Sequence, residues 1–288
     1  MSSTRILAAG ERKHDLSSPI VMGILNTTPD SFSDGSELAS STSSKFRVDI
    51  DKAFLRARAM VSDGAVIIDV GGESTRPGAD RVPVQEELDR VVPVIERLNS
   101  DLDVTISIDT SSSLVMREAI NAGARMVNDV RSLADPGAMD SIKNFNVALC
   151  LMHMQGAPST MQQAPDYSDV VTEVSDFLSE RVNFVISEGV ARSCLVIDPG
   201  FGFGKTLEHN YNLLKNMREL RPLDVPRIIG VSRKSMIGIV TDRDVKQRLA
   251  GSIAATVIGL NSGASIVRSH DVSATIDSIK VFEMARRA

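Results

Sequence analysis

Two cysteines in 288 residues are too few for a disulfide framework, and they exclude every multi-cysteine zinc pattern. Both, Cys150 and Cys194, lie inside apolar runs, where a small buried hydrophobe is expected. Basic residues are not in excess: 32 Lys and Arg against 37 Asp and Glu give a net charge of −5. That speaks against nucleic acid as a partner, because binding it demands a concentrated basic face. Long apolar runs are also scarce. Ile6–Ala9 is too short for the core of a secretory leader and is followed at once by Glu11, Arg12 and Lys13. Leu249–Val267 is uncharged and 19 residues long, which matches a membrane span in length. Eight of those residues are Gly, Ser, Thr or Asn, and Asn261-Ser262-Gly263 is a helix stop. A helix, a turn and a strand are predicted there instead. A cytoplasmic protein with no membrane partner is expected.

What the chain does have is repetition of one unit. Short β-branched runs occur at Ile20–Leu25, Ala65–Val70, Val104–Ile108, Arg125–Val130, Val147–Met152, Cys194–Ile197, Arg227–Val231 and Ser265–Arg268. Near-continuous apolar strands are what a parallel sheet covered on both faces requires. Helical periodicity fills the intervals. Val84, Leu88, Val91, Ile95 and Leu98 are spaced 4, 3, 4, 3. Ile50, Phe54, Ala57 and Val61 repeat the pattern, as do Val272, Ile276 and Ile279. Pro93 should kink its helix or mark a change of turn. Gly64, Gly123, Gly189 and Gly263 fit C-terminal caps. Eight strand–helix units predict an α/β protein, a single closed (β/α)8 barrel. One domain over residues 1–288 is expected, with its core at about 19–285, and no linker is evident.

Every predicted strand ends in polar residues. The tips carry Asn26; Asp69 with Gly71–Gly78; Asp109; Asn128 and Asp129; His153; Asp198; Ser232–Lys234; and Arg268–His270. A barrel gathers all of them at its C-terminal mouth. One such residue could simply cap a loop, but eight polar tips of eight are hard to explain by capping. Asp109, Asn128, Asp198 and Lys234 combine acceptors, an amide and a cation, which suits a 2-aminopyrimidinone ring with its adjacent N–H groups. Arg76, Arg268 and His270 form a cationic corner suited to phosphate. Asn26 offers a neutral oxygen to a hard ion such as Mg²⁺. Gly200–Thr206 imitates a phosphate-binding loop, but Pro199 stands where its first glycine must be. A glycine-softened loop passing near the pocket is predicted. His153 has no partner at metal spacing, so a supporting imidazole is expected.

Six blocks, in order, resemble those of dihydropteroate synthases: Met22–Gly35, Asp69–Gly78, Leu151–Gly156, Asp198–Lys205, Ser232–Ser235 and Arg268–Val272. The resemblance spans roughly residues 19–285. Thr27 stands where a valine is common, and Ser111-Ser112-Ser113 replaces a lysine-containing turn. The resemblance implies a TIM barrel, usually a homodimer, that joins 6-hydroxymethyl-7,8-dihydropterin diphosphate to 4-aminobenzoate. The products would be 7,8-dihydropteroate, for folate synthesis, and diphosphate.

Its implied pterin contacts are Asp109, Asn128, Met152, Asp198 and Lys234. Its implied diphosphate contacts are Asn26, Thr75, Arg76, Arg268, Ser269 and His270, with Mg²⁺ on Asn26. Phe32, Pro77 and Ser232 would hold 4-aminobenzoate, and sulfonamides would compete there. Asp34, Lys234, Arg268 and His270 would act in catalysis, Asp34 by stabilising a cation left on the pterin methylene. The loops after the first two strands would close over bound diphosphate. Two alternatives stay open on the sequence: a methyltetrahydrofolate-binding corrinoid methyltransferase domain, and a non-catalytic pterin-binding paralogue.

Overall fold

The computed structural model describes residues 6–28, 47–74, 82–158, 160–220 and 224–288. An antiparallel hairpin opens it, β1 (Ile6–Ala9) and β2 (Arg12–Asp15), turning at Gly10 with φ +64°. All eight predicted runs become parallel strands. They are β3 (Ile20–Asn26), β4 (Ile67–Gly71), β5 (Thr105–Asp109), β6 (Met126–Asp129), β7 (Ala148–Met152), β8 (Leu195–Asp198), β9 (Ile228–Ile229) and β10 (Ile266–Ser269). Their order around the sheet is β8-β7-β6-β5-β4-β3-β10-β9. A parallel bridge from Ile197 to Arg227 joins β8 to β9, and Ile197 N–H reaches the Pro226 carbonyl at 2.9 Å. The result is a (β/α)8 barrel, closed most thinly at β9. That strand is shorter than the predicted Arg227–Val231.

Helices follow each barrel strand: α1 (Ile50–Ser62), α2 (Val84–Asp101), α3 (Ser113–Ala122), α4 (Ala138–Ile142), α5 (Val170–Ser187), α6 (Leu207–Asn216), α7 (Ser235–Thr241), α8 (Leu249–Asn261) and α9 (Val272–Arg287). The predicted glycine stops hold, with Gly64, Gly123, Gly189 and Gly263 all at positive φ. α2 runs through Pro93 as one helix. The uncharged stretch from Leu249 resolves into α8, a turn and β10. Among the described residues, no helix is long and apolar enough to cross a membrane.

Strand alternation sorts the side chains into two cores. Val21, Ile68, Ile106, Val127, Leu149 and Ile197 point outward to the helices. Met22, Ile67, Met126, Ala148, Cys150, Val196, Ile228 and Ile266 point inward and fill the lower barrel. The hairpin, not predicted as strands, plugs that floor. Its buried positions alternate, so Leu7 and Ala9 join the inward set together with Leu16. The four-residue run dismissed as a leader therefore has a packing role.

Leu7 is 0% exposed. Leu7→Ala should cost about 2–5 kcal/mol, the usual range for an unrelaxed core cavity. Urea unfolding checks this; a loss under about 1 kcal/mol would show that the hairpin lies outside the cooperative core.

Candidate active site

The alternation that makes the lower barrel apolar makes its upper layer polar. Counting by two from the inward Met22, Ile67, Met126, Val196 and Ile266 reaches Asn26, Asp69, Asn128, Asp198 and Arg268. Register then sets neighbours: Asn26 pairs with Gly71, Gly71 with Asp109, and Asp109 with Asn128. Across the barrel, Met152 pairs with Asp198. Gly71 and Gly230 keep this layer open. A β-carbon on Gly71 would lie 3.6 Å from both Asn26 Oδ1 and Asp109 Cβ. One on Gly230 would lie 3.8 Å from Asp198 Oδ2 and 3.9 Å from Arg268 Cβ. Thr27, the departure from the common valine, ties β3 to β4 by donating its hydroxyl to the Gly71 carbonyl at 3.0 Å.

Arg268 lies at the centre. Its Nε donates to Asp69 Oδ2 at 2.6 Å and its Nη2 to Asp109 Oδ2 at 2.7 Å. Asn128 Nδ2 donates to the same Asp69 oxygen at 3.0 Å. The guanidinium that the sequence grouped with His270 in a cationic corner is here paired with two carboxylates. Burial opposes its charge, but Asp69 and Asp109 outweigh that and hold it above its ordinary value. Burial pushes Asp109 up to about 7, against the pull of Arg268. Asp69 Oδ1 and Asp109 Oδ1 are buried and have no hydrogen-bond partner among the described residues.

The β8 side of the mouth is shaped by the glycine loop. Gly200, Gly202 and Gly204 have φ of +70°, +80° and +62°, and a β-carbon on Gly200 would sit 1.9 Å from the His153 carbonyl oxygen. The predicted soft loop is therefore present, and only glycine fits at its start. Asp198 Oδ1 accepts from Gly200 N–H at 2.7 Å, and burial raises its pKa despite Lys234. Lys234 donates to the Phe201 carbonyl, and its ammonium lies 4.7 Å from the Phe203 ring centre. Burial lowers it to about 8, against Asp198.

Ser232 and His270, expected on different substrates, meet: Ser232 Oγ lies 3.1 Å from His270 Nδ1 and accepts from the His270 N–H at 3.2 Å. The Ser269 hydroxyl turns elsewhere. It accepts from Asp271 N–H at 3.1 Å and from Thr275 Oγ1 at 2.9 Å, at the start of α9. Phe32, Asp34, Thr75, Arg76 and Pro77 lie outside the described residues.

The family profile described as "Pterin binding enzyme" matches residues 22–270. A dihydropteroate synthase from Haemophilus influenzae is 47% identical over 98% of this chain and 99% of its own length. The chain belongs to the pterin binding enzyme family, among its dihydropteroate synthases. Two solved structures from this family agree in shape. A Yersinia pestis dihydropteroate synthase, in a sulfonamide drug complex, superposes with a TM-score of 0.92 at 46% identity, covering 98% of this chain and 100% of that one. A Xanthomonas albilineans dihydropteroate synthase, with 4-aminobenzoic acid, gives 0.90 at 44% identity, covering 99% and 100%.

Three parts of this pterin-family site went unassigned in the sequence. Asp69 stood among the tips with no role, yet it receives both Arg268 and Asn128. Inward alternation from Ile67 was the signal that could have found it. Asp129 folds the loop after β6, accepting from the Ser111 hydroxyl and from the N–H groups of Arg131 and Leu133. Ser111 is one of the serines in the unusual turn. His153 is the supporting imidazole expected, with Lys205 as its unforeseen partner at 2.9 Å. Burial lowers both, His153 to about 3 and Lys205 to about 7.

Glu87 of α2 is a further buried carboxyl. It is 2% exposed and packs against Gly72, and its Oε1 has no partner among the described residues. Burial raises it from 4.5 to about 7, against a hydrogen bond from Thr110. The folded state then binds a proton more tightly than the unfolded chain between those values, so stability falls as pH rises through that window. Glu87→Gln removes this dependence. Its stability relative to the parent should rise by about 1–3 kcal/mol between pH 5 and pH 8. Urea melts at both pH values measure it; an unchanged difference would contradict the raised carboxyl.

Proposed function

We propose that the chain condenses 6-hydroxymethyl-7,8-dihydropterin diphosphate with 4-aminobenzoate, releasing 7,8-dihydropteroate and diphosphate in folate synthesis. The observation that carries this is the orphaned Asp109 Oδ1, a buried acceptor in a layer of complementary groups. A buried acceptor without a donor is costly, and an aminopyrimidinone N–H relieves it. Asp109, Asn128 and Asp198 hold the ring's donors and acceptors. Lys234 faces its carbonyl side, and Met152 supplies apolar wall. Arg268 balances the carboxylates below the ring and has Nη1 to offer a phosphate oxygen. The His270–Ser232 pair stands at the same mouth, His270 toward the diphosphate and Ser232 toward 4-aminobenzoate. Ser269 supports this corner through the start of α9.

The bond from the pterin methylene carbon to the diphosphate oxygen breaks, leaving a cation conjugated with the ring, and the amine nitrogen then attacks that carbon. Diphosphate leaves with the electron pair, and the new C–N centre sheds a proton. A neutral aromatic amine is nucleophilic enough to need no strong general base. Asp34 is assigned to the developing cation, Thr75 and Arg76 to diphosphate, and Phe32 and Pro77 to 4-aminobenzoate. Those five assignments rest on the family blocks.

Asn26 fits a Mg²⁺ ion that keeps most of its waters and leans on substrate phosphates. It ends β3 at the mouth with its amide oxygen beside Gly71, and the described residues hold no cluster of three or more acidic, His or Cys ligands. When bound, such an ion supplies positive charge for the departing diphosphate. A homodimer is supported by the exposed apolar side chains of Ile239, Val240 and Ile258 on α7 and α8. Two free, buried cysteines suit a reducing cytoplasm.

The direct test is diphosphate release that depends on both the pterin diphosphate and 4-aminobenzoate; release with either alone sinks the proposal. Asp109→Asn should weaken pterin binding by roughly 2–4 kcal/mol, because it sets a donor against the ring's donors. With the parent carboxyl near 7, pterin affinity should also fall as pH drops below that value and the acceptor is protonated. Calorimetry across pH reads both; unchanged affinity would remove Asp109 from the pocket. Asn26→Ala should abolish the Mg²⁺-dependent part of inorganic diphosphate binding. If Mg²⁺ strengthens that binding equally in both proteins, Asn26 is not its ligand.

A further inference from the structure

We propose that Lys205 is a positioning residue for the pterin site: clamped by His153, it locks the Gly200–Gly204 loop into the shape that presents Phe201 and Phe203 to Lys234. This rests on the mouth being a pterin site.

Lys205 is 3% exposed. Its ammonium has three hydrogens, and three close acceptors surround it. They are His153 Nδ1 at 2.9 Å, the Gly200 carbonyl at 3.0 Å and the Phe203 carbonyl at 3.1 Å. A donor from Lys205 makes His153 Nδ1 the acceptor and puts the imidazole proton on Nε2. The imidazole is itself fixed, with Phe177 edge-on at 5.0 Å and Tyr167 at 6.0 Å. Tyr167 then reaches the loop directly, donating its hydroxyl to the Gly204 carbonyl at 2.8 Å.

Three glycines in five residues leave this loop little conformational preference of its own, so outside bonds must select its shape. Lys205 grips it at two carbonyls, and Asn210 Oδ1 accepts from Gly202 N–H at 2.6 Å. The selected shape serves the mouth. The Phe201 carbonyl accepts from Lys234, the Phe203 ring lies under the same ammonium, and Gly200 N–H binds Asp198. Lys205 thus reaches Lys234 and Asp198 through the loop it grips. The pseudo-phosphate-loop lysine is turned inward, to organise carbonyls.

The test uses Lys205→Met, which keeps length and loses every donor, with His153→Asn and His153→Leu. Asn keeps an acceptor where Nδ1 stood, and Leu does not. Calorimetry with unphosphorylated 6-hydroxymethylpterin should show Kd raised about tenfold or more in Lys205→Met and His153→Leu, the scale of a lost charge-assisted bond. His153→Asn should stay near the parent. KM for 4-aminobenzoate should move by less than about twofold, since the clamp acts on the pterin side. Amide exchange at Gly200–Gly204 should quicken, and Lys234 should react faster with acetic anhydride.

Parent-like pterin binding in Lys205→Met, or equal damage from His153→Asn and His153→Leu, would overturn the proposal. If Lys205→Met does not fold, the two His153 variants decide it. If the parent protein itself binds no pterin, the functional reading fails, and amide exchange with Lys234 reactivity still judges the clamp. Parent-like values of both in His153→Leu would then reject it.

Discussion

One half-buried guanidinium permits the rest of the site. Arg268 stands between Asp69 and Asp109 inside a barrel where water is scarce. Without its charge the two carboxylates would face each other with no cation between them. With it, one oxygen of each is held by Arg268 and one of each is unspent. Ion pairs like this are poor stabilisers, because desolvation consumes most of the attraction. Their use is to hold charge ready. The raised carboxyls of Asp109 and Asp198, and the lowered ammonium of Lys234, are three expressions of the same scarcity of water.

Charge of both signs, packed in one layer, also demands a rigid frame. The lower barrel gives that frame by being largely apolar, and the hairpin completes it. The switch from apolar to polar occurs within single strands: Ile67 to Asp69, Met126 to Asn128, Val196 to Asp198, Ile266 to Arg268. In each, one step of two residues separates the core from the chemistry. A one-residue slip of register would bury the carboxylates against the helices, so the same alternation that defines the fold defines the site.

Much of this was legible in the sequence. Strand runs are short, apolar and bounded by glycine stops, so their number and order could be read, and a count of eight pointed to the barrel. The polar tips could be read because parallel strands all deliver their C-terminal ends to one face. Partners could not be read. Nothing in the local pattern says that Arg268 crosses to Asp69 and Asp109, since those contacts span 199 and 159 residues of chain. Nor does it say that Lys205 turns inward to His153, because a G-K-T string looks alike whether its lysine meets phosphate or a carbonyl. The hairpin escaped notice for a related reason: four residues carry too little periodicity, and only the floor they cover makes them a strand.

That floor has a kinetic meaning. With Leu7, Ala9 and Leu16 stopping one end, the barrel is a blind well. Whatever occupies its depth must enter before anything is laid above it, and must leave after. Under the function proposed above, a ring seated on Asp109 and Asp198 would be covered by its own co-substrate, and the bond between them would form at the mouth. Traffic order in such a well follows from the shape of the vessel, before any difference in affinity is considered.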